Sequence, residues 1–165
     1  VIAHDSGDSK SAQLLEAAAL LRDAGVEVHL GDSGQHLVHR ARVVVKSPGV
    51  PREAPVIEVA LRQGLTVMGE LELAWRLLPN RFLAVTGTNG KTTTAEWIGH
   101  ILRTAARPVT VAGNVGIAAS SLIGKVDPSA TVVCEASSFQ LQDTLAFAPE
   151  IAVLLNLAPD HLDRH

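Results

Sequence analysis

Short apolar runs alternate with helix-like stretches along this chain, and no other feature limits its possible folds as strongly. Residues 1–5, 26–30, 42–46 and 65–68 read as strands. Residues 12–24, 55–63 and 70–78 read as helices, with Gly25 and Gly64 at two of their C-terminal stops. The second half repeats the pattern: strand 81–85, helix 93–105, strand 108–112, helix 117–123, and strands 130–135 and 150–155. Thr131-Val132-Val133-Cys134 and Ile151-Ala152-Val153-Leu154-Leu155 are continuously apolar, as strands buried on both faces are. Strands separated by helix-length segments imply crossover connections, so the class is α/β with mostly parallel sheets. Pro79-Asn80 marks the boundary, giving expected domains 1–79 and 80–165.

Bulk properties narrow the function. The 165 residues suffice for one domain or two small ones, and 47% apolar with 19% charged residues suits a well-filled core. A net charge of −3 argues against a nucleic-acid surface, and 3% aromatic residues leave few platforms for stacking bases. Cys134 stands alone, so no disulfide forms within the chain. No apolar stretch is long enough for a membrane span. The chain opens at Val1 without a Met, directly in a strand-like run, and stops at His165 just after a motif. It is therefore expected to be a piece of a longer protein.

The chemistry concentrates where strands end. Val85-Thr86-Gly87-Thr88-Asn89-Gly90-Lys91-Thr92-Thr93 links an apolar strand to a helix and carries Gly-Lys-Thr. Backbone N–H groups at a helix N-terminus face an anion, and the helix dipole favours negative charge there. Lys91 can reach outer phosphates and the Thr92 hydroxyl can ligate Mg²⁺. The glycine spacing is short: only Thr88 and Asn89 separate Gly87 from Gly90, where the general phosphate loop has four residues.

Glu135, at the end of a buried strand, is either a second Mg²⁺ anchor or a carboxylate facing solvent. His161, between Asp160 and Asp163, is either a metal ligand or proton acceptor, or part of an ordinary polar loop. Asn114, between Gly113 and Gly116, is either a ligand contact or a plain left-handed turn. Ser47-Pro48-Gly49 holds the equivalent strand-end position in the first half and could equally be only a tight turn.

Four segments together resemble the Mur ligases. They are Thr86-Gly87-Thr88-Asn89-Gly90-Lys91-Thr92-Thr93, Gly113-Asn114-Val115-Gly116, Glu135-Ala136-Ser137-Ser138-Phe139-Gln140-Leu141 and Asp160-His161-Leu162-Asp163-Arg164-His165, in that order. The short glycine spacing is normal in that family. The Ser-Ser-Phe-Gln-Leu run, with Ser47-Pro48-Gly49, is most similar to the branch that adds D-glutamate.

The resemblance implies an incomplete Rossmann-like domain followed by the first part of a P-loop ATP-binding domain. It implies ATP-dependent joining of D-glutamate to UDP-N-acetylmuramoyl-L-alanine through an acyl phosphate, in peptidoglycan precursor synthesis in the cytoplasm. The parent enzyme is expected to be a monomer. ATP would be cradled by Gly87, Thr88, Asn89, Gly90, Lys91, Thr92 and Thr93, with Lys91 and His161 as catalytic groups. Thr92, Glu135 and His161 would hold Mg²⁺. Asp5, Ser6, Ser47 and Gly49 would line the UDP site, and Asn114, Ser137 and His161 would meet the muramoyl-alanine part. The family's first strand and its carbamylated lysine have no counterpart in these residues, so the isolated piece is expected to be inactive. The alternatives are a sister ligase adding another amino acid, and a non-catalytic nucleotide-binding fragment.

Overall fold

The structure is a computed structural model that describes residues 1–114 and 116–159. Spatial proximity divides the chain into two compact units. One holds Val1–Val44 and Val50–Val67; the other holds Val45–Gly49 and the residues from Met68 on.

The first unit opens with β1 (Ile2–Asp5), α1 (Ala12–Asp23) and β2 (Glu27–Leu30). β1 and β2 are parallel, with Ile2 opposite Glu27 and Asp5 opposite Leu30. A 3-10 helix, Gln35–Arg40, follows and buries Leu37 and Val38. It packs against α2 (Pro55–Arg62), which starts on a proline and turns Ile57 and Ala60 inward. β3 (Val43–Lys46) pairs with β4 (Thr66–Gly69), and the division between the units runs through both strands.

The second unit is built on a four-stranded sheet. Its elements are α3 (Glu70–Leu77), β5 (Arg81–Thr86), α4 (Lys91–Thr104), β6 (Val109–Gly113), a 3-10 helix at Ala119–Leu122, β7 (Thr131–Glu135), α5 (Ser138–Gln142) and β8 (Ile151–Leu154). The strand order is β6-β7-β5-β8, and every pairing is parallel. Successive side chains on a strand face opposite ways, so β7 feeds two cores. Val132 and Cys134 join Phe82, Leu71, Ala74 and Leu122 on one face. Val133 joins Val85 and Ala95 on the other, with Ile98 and Leu102 of α4 beside them. Phe147 meets the edges of both Phe82 and Trp75, with ring centroids 6.0 Å apart in each case. The Cys134 thiol is fully enclosed, and burial, reinforced by the Glu70 and Glu135 charges, pushes its pKa to about 12.

A buried carboxylate ties the loop after α5 to α3. Glu72 has no solvent exposure. It accepts N–H bonds from Leu145, Ala146 and Phe147 at 2.9–3.2 Å and a 2.6 Å bond from Arg76 Nε. Burial opposes its charge. The Leu145 N–H, the Arg76 guanidinium and the Ala146 N–H outweigh that and hold its pKa below the usual carboxylate value. The neighbouring Glu70 accepts the Ser120 N–H, fixing the second 3-10 helix in the same way.

The alternation of elements and the parallel α/β class are as the sequence predicts, and four details differ. The helix expected at 93–105 begins at Lys91, because Gly90 supplies a left-handed N-cap (φ 86°) two residues earlier. The helix expected at 117–123 is only a 3-10 turn over Ala119–Leu122. α5 and the 3-10 helix at Gln35–Arg40 have no counterpart in the predicted pattern. The expectation that the apolar run 151–155 is buried on both faces fails. β8 is an edge strand, with Ile151 56% and Leu154 60% exposed, and among the described residues it pairs only with β5.

Candidate functional site

β5, β6 and β7 release the chain on one edge of the sheet, and the predicted polar residues gather there. Register makes the convergence explicit: Glu135 stands opposite Val85 on one side and Gly113 on the other. Each strand ends one or two residues before a residue singled out by its chemistry.

The loop between β5 and α4 is short and internally braced. Lys91, the first residue of α4, folds back so that Nζ donates to the carbonyls of Gly87 (2.8 Å) and Thr88 (3.0 Å). Gly87 adopts φ 138°, and a side chain there would press on the Asn156 backbone at 3.0 Å. The segment after β8 closes around this loop. Asn156 Oδ1 accepts the Asn89 N–H, and its Nδ2 donates to the Asn89 carbonyl, both at 2.9 Å. The Thr88 hydroxyl donates to the Ala158 carbonyl and accepts the Ala158 N–H.

Thr92 meets Glu135 directly: its hydroxyl donates to Oε2 at 2.6 Å. Glu135 is only 4% exposed, which excludes the solvent-facing alternative. Its other oxygen takes a long contact from Asn114 Nδ2 at 3.4 Å, while the Asn114 N–H bonds the Glu135 carbonyl at 2.9 Å. Thr92, Glu135 and Asn114 are thus brought together from α4, β7 and the loop after β6. Two oxygens, one ionisable and both at a helix N-terminus, form the donor set that suits a hard cation.

Gly113 makes this approach possible. Its φ is 127°, and a Cβ there would lie 2.1 Å from the Glu135 carbonyl oxygen. Backbone strain alone costs on the order of 1–3 kcal/mol for such a residue. Gly113→Ala is therefore expected to destabilise the chain and to separate the ends of β6 and β7. Urea unfolding of the variant measures this, and an unchanged midpoint would contradict the packing described.

Ser137 lies two residues beyond Glu135, buried, as the N-cap of α5. Its hydroxyl donates to Gln140 Oε1 at 3.0 Å and accepts the Gln140 N–H, and Gln140 Oε1 also accepts the Ser137 N–H. Ser47 and Gly49 are exposed in the turn after β3. That turn groups with the second unit, where Lys46 forms a buried ion pair with Asp143 at the end of α5. Asp5 and Ser6 belong to the first unit. Both are exposed, and Asp5 Oδ1 accepts the Gly7 N–H at 2.7 Å. His161, with Asp160 and Asp163, lies outside the described residues, as does Val115.

Sequence reasoning missed Glu72, the Lys46–Asp143 pair and the Asn89–Asn156 clasp. None leaves a local pattern, because each partner is distant in sequence. The Ser137-x-x-Gln140 cap did leave one: a serine followed three residues later by glutamine is a helix-start signal.

These features place the chain among parallel α/β proteins whose polar groups collect at the C-terminal edge of the sheet. Residues 85–165 match the Mur ligase middle domain. It is 45% identical over 159 residues to UDP-N-acetylmuramoylalanine–D-glutamate ligase of Koribacter versatilis, covering 96% of this chain and 35% of that protein. It is 49% identical over 162 residues to the enzyme of that name from Frankia casuarinae, covering 98% and 34%. The chain thus spans about a third of the length of these relatives. Among solved structures it resembles UDP-N-acetylmuramate:L-alanyl-γ-D-glutamyl-meso-diaminopimelate ligase from Neisseria meningitides. The TM-score is 0.57 at 26% identity, over 99% of this chain and 55% of that one. It also resembles UDP-N-acetylmuramate–alanine ligase from Thermotoga maritima, with a TM-score of 0.54 at 25% identity, over 99% and 37%.

Proposed function

We propose that this chain supplies the phosphate-binding edge and part of the substrate-binding unit of a ligase that uses ATP to join D-glutamate to UDP-N-acetylmuramoyl-L-alanine. The observation that carries the proposal is the 2.6 Å contact of Thr92 with buried Glu135, at the start of the helix that carries Lys91. The relatives of that name, 45% and 49% identical, support the choice of substrates.

In this reading, residues 1–79 hold the UDP end of the substrate through Asp5, Ser6, Ser47 and Gly49. Residues 80–165 hold ATP. Gly87, Thr88, Asn89, Gly90, Thr92 and Thr93 wrap the phosphates; the Thr88 and Asn89 N–H groups stay on Asn156 while those at the start of α4 face the anion, and the α4 dipole adds to the attraction. Lys91 Nζ, already beside the loop, neutralises charge on the transferring group. Thr92 and Glu135 fit Mg²⁺, because both offer oxygen and Glu135 is enclosed; His161 would complete the metal set. Bound Mg²⁺ supplies further neutralisation of phosphate oxygens. Asn114, Ser137 and His161 would contact the muramoyl-alanine part.

The substrate carboxylate takes the γ-phosphoryl group from ATP, releasing ADP. The D-glutamate amine then attacks the acyl phosphate and expels phosphate, leaving an amide. No helix among the described residues is long and apolar enough to cross a membrane. Action on a water-soluble nucleotide precursor in the cytoplasm, by a monomer, fits this reading.

Calorimetric titration of the chain with ATP tests the site. Binding is expected to tighten when Mg²⁺ is added, and Thr92→Val and Glu135→Gln are expected to abolish that gain while leaving Mg²⁺-free binding in place. A Mg²⁺ effect that survives in both variants would remove these residues from the metal site.

A further inference from the structure

A second group of metal-ligating side chains lies in the first unit, apart from the residues assigned to ATP. His29, Asp32 and His36 each bring one ligand atom to within 4.8 Å of the others. They come from the end of β2, the turn after it and the first turn of the following 3-10 helix.

The hydrogen bonds around His29 and Asp32 leave each of them a second ligand atom. His29 Nε2 lies 2.8 Å from Glu27 Oε1, which leaves Nδ1 as the ring's remaining ligand atom. Asp32 Oδ1 accepts the Gly34 N–H at 2.6 Å, and His4 Nε2 stands 3.2 Å from the same oxygen, leaving Oδ2 open. The His29 and His36 rings meet edge-on with centroids 5.6 Å apart, close enough for both to reach one ion.

The support behind the first ligand is also built. Glu27 is gripped by both terminal nitrogens of Arg40, at 2.7 and 2.6 Å. Arg40 ends the 3-10 helix that carries His36. One carboxylate therefore orients His29 and also anchors the element that delivers His36. A carboxylate behind a ligating histidine fixes the ring and raises its basicity, a recurring feature of metal sites.

We propose that His29, Asp32 and His36 form a binding site for a divalent transition cation of the Zn²⁺ type. Two imidazoles and one carboxylate select such an ion over Mg²⁺ or Ca²⁺, which take oxygen donors. Three protein ligands leave a fourth position for water or an incoming ligand. The site joins β2 to the 3-10 helix and is separate from the proposed Mg²⁺ position at Thr92 and Glu135.

The test is a Zn²⁺ titration of the tag-free 165-residue chain, followed by calorimetry and by competition with a chromophoric chelator. One saturable equivalent is expected. It should vanish in His29→Ala and in His36→Gln, the second of which keeps side-chain size; far-UV circular dichroism confirms that each variant is folded. Glu27→Gln should weaken binding by about 10- to 100-fold through loss of ring orientation. His39→Ala and His100→Ala should leave it unchanged. The proposal fails if the wild-type chain shows no saturable equivalent. It also fails if folded His29 and His36 variants bind with unchanged affinity, which would mark the zinc as adventitious.

Discussion

Replacing Lys91 with alanine is expected to lower ATP-dependent amide formation by on the order of 10²- to 10³-fold in a full-length protein that carries this sequence. The reason is geometric. Lys91 opens α4, and its Nζ is held 2.8 and 3.0 Å from the Gly87 and Thr88 carbonyls, so the charge is placed before any ligand arrives. Preorganised charge stabilises a transition state without reorganisation at the moment of reaction. Lys91→Arg keeps the charge but not the compact ammonium, and is expected to rescue only part of the rate. Steady-state kinetics with varied ATP measures both variants. A loss confined to KM, with kcat intact, would assign Lys91 to uniform binding and not to phosphoryl transfer.

Glu72→Ala is expected to be the most damaging substitution for stability. It strips an acceptor from three consecutive N–H groups, those of Leu145, Ala146 and Phe147. Hydrogen bonds to a charged group are worth about 1.5–3 kcal/mol each, but these three share one carboxylate and their donors lie on exposed or half-buried residues, so the total is on the order of 2–3 kcal/mol, still a sizeable part of a domain's stability. The loop would also release Phe147 from Phe82 and Trp75. Glu72→Gln keeps one acceptor oxygen and should lose less.

The charge has a pH signature as well. The folded pKa of Glu72 lies below its unfolded value of 4.5, so its contribution is complete above that pH. It is lost as pH falls through the folded value. Urea midpoints measured from pH 7 down to pH 3 should fall more steeply in wild type than in Glu72→Gln. Parallel curves would show that Glu72 does not carry this acid sensitivity.

The sequence makes the parallel sheet legible because burial on both faces writes itself as unbroken apolar runs. Thr131-Val132-Val133-Cys134 of β7 is such a run, and it lies between β5 and β6 in the sheet. The same reasoning misleads at Ile151–Leu154, whose composition is that of a central strand although it occupies an edge. Composition reports the burial that a strand suits, not its neighbours in a given chain.

At the site, Thr92 and Glu135 are 43 residues apart, and their pairing follows from two facts visible in sequence: each ends or follows a strand, and parallel strands share an edge. The glycine at 113 is legible as a turn residue, but its purpose, admitting the Glu135 carbonyl at contact distance, needs coordinates. Glu72 reads as one more polar residue of an amphipathic helix, since nothing local distinguishes a carboxylate that binds three N–H groups 73–75 residues away. Long-range polar contacts of this kind are where sequence pattern stops.

The central claim is the pairing of ATP with D-glutamate, and an amidation assay addresses it most directly. The full-length protein carrying this sequence is incubated with UDP-N-acetylmuramoyl-L-alanine, ATP and Mg²⁺, and with D-glutamate, L-lysine or meso-diaminopimelate in turn. Mass spectrometry of the nucleotide product and release of phosphate are followed together. The account predicts one amide and one phosphate per turnover with D-glutamate alone. Product formed with another amino acid in its place, or no ATP-dependent product with D-glutamate, would contradict it.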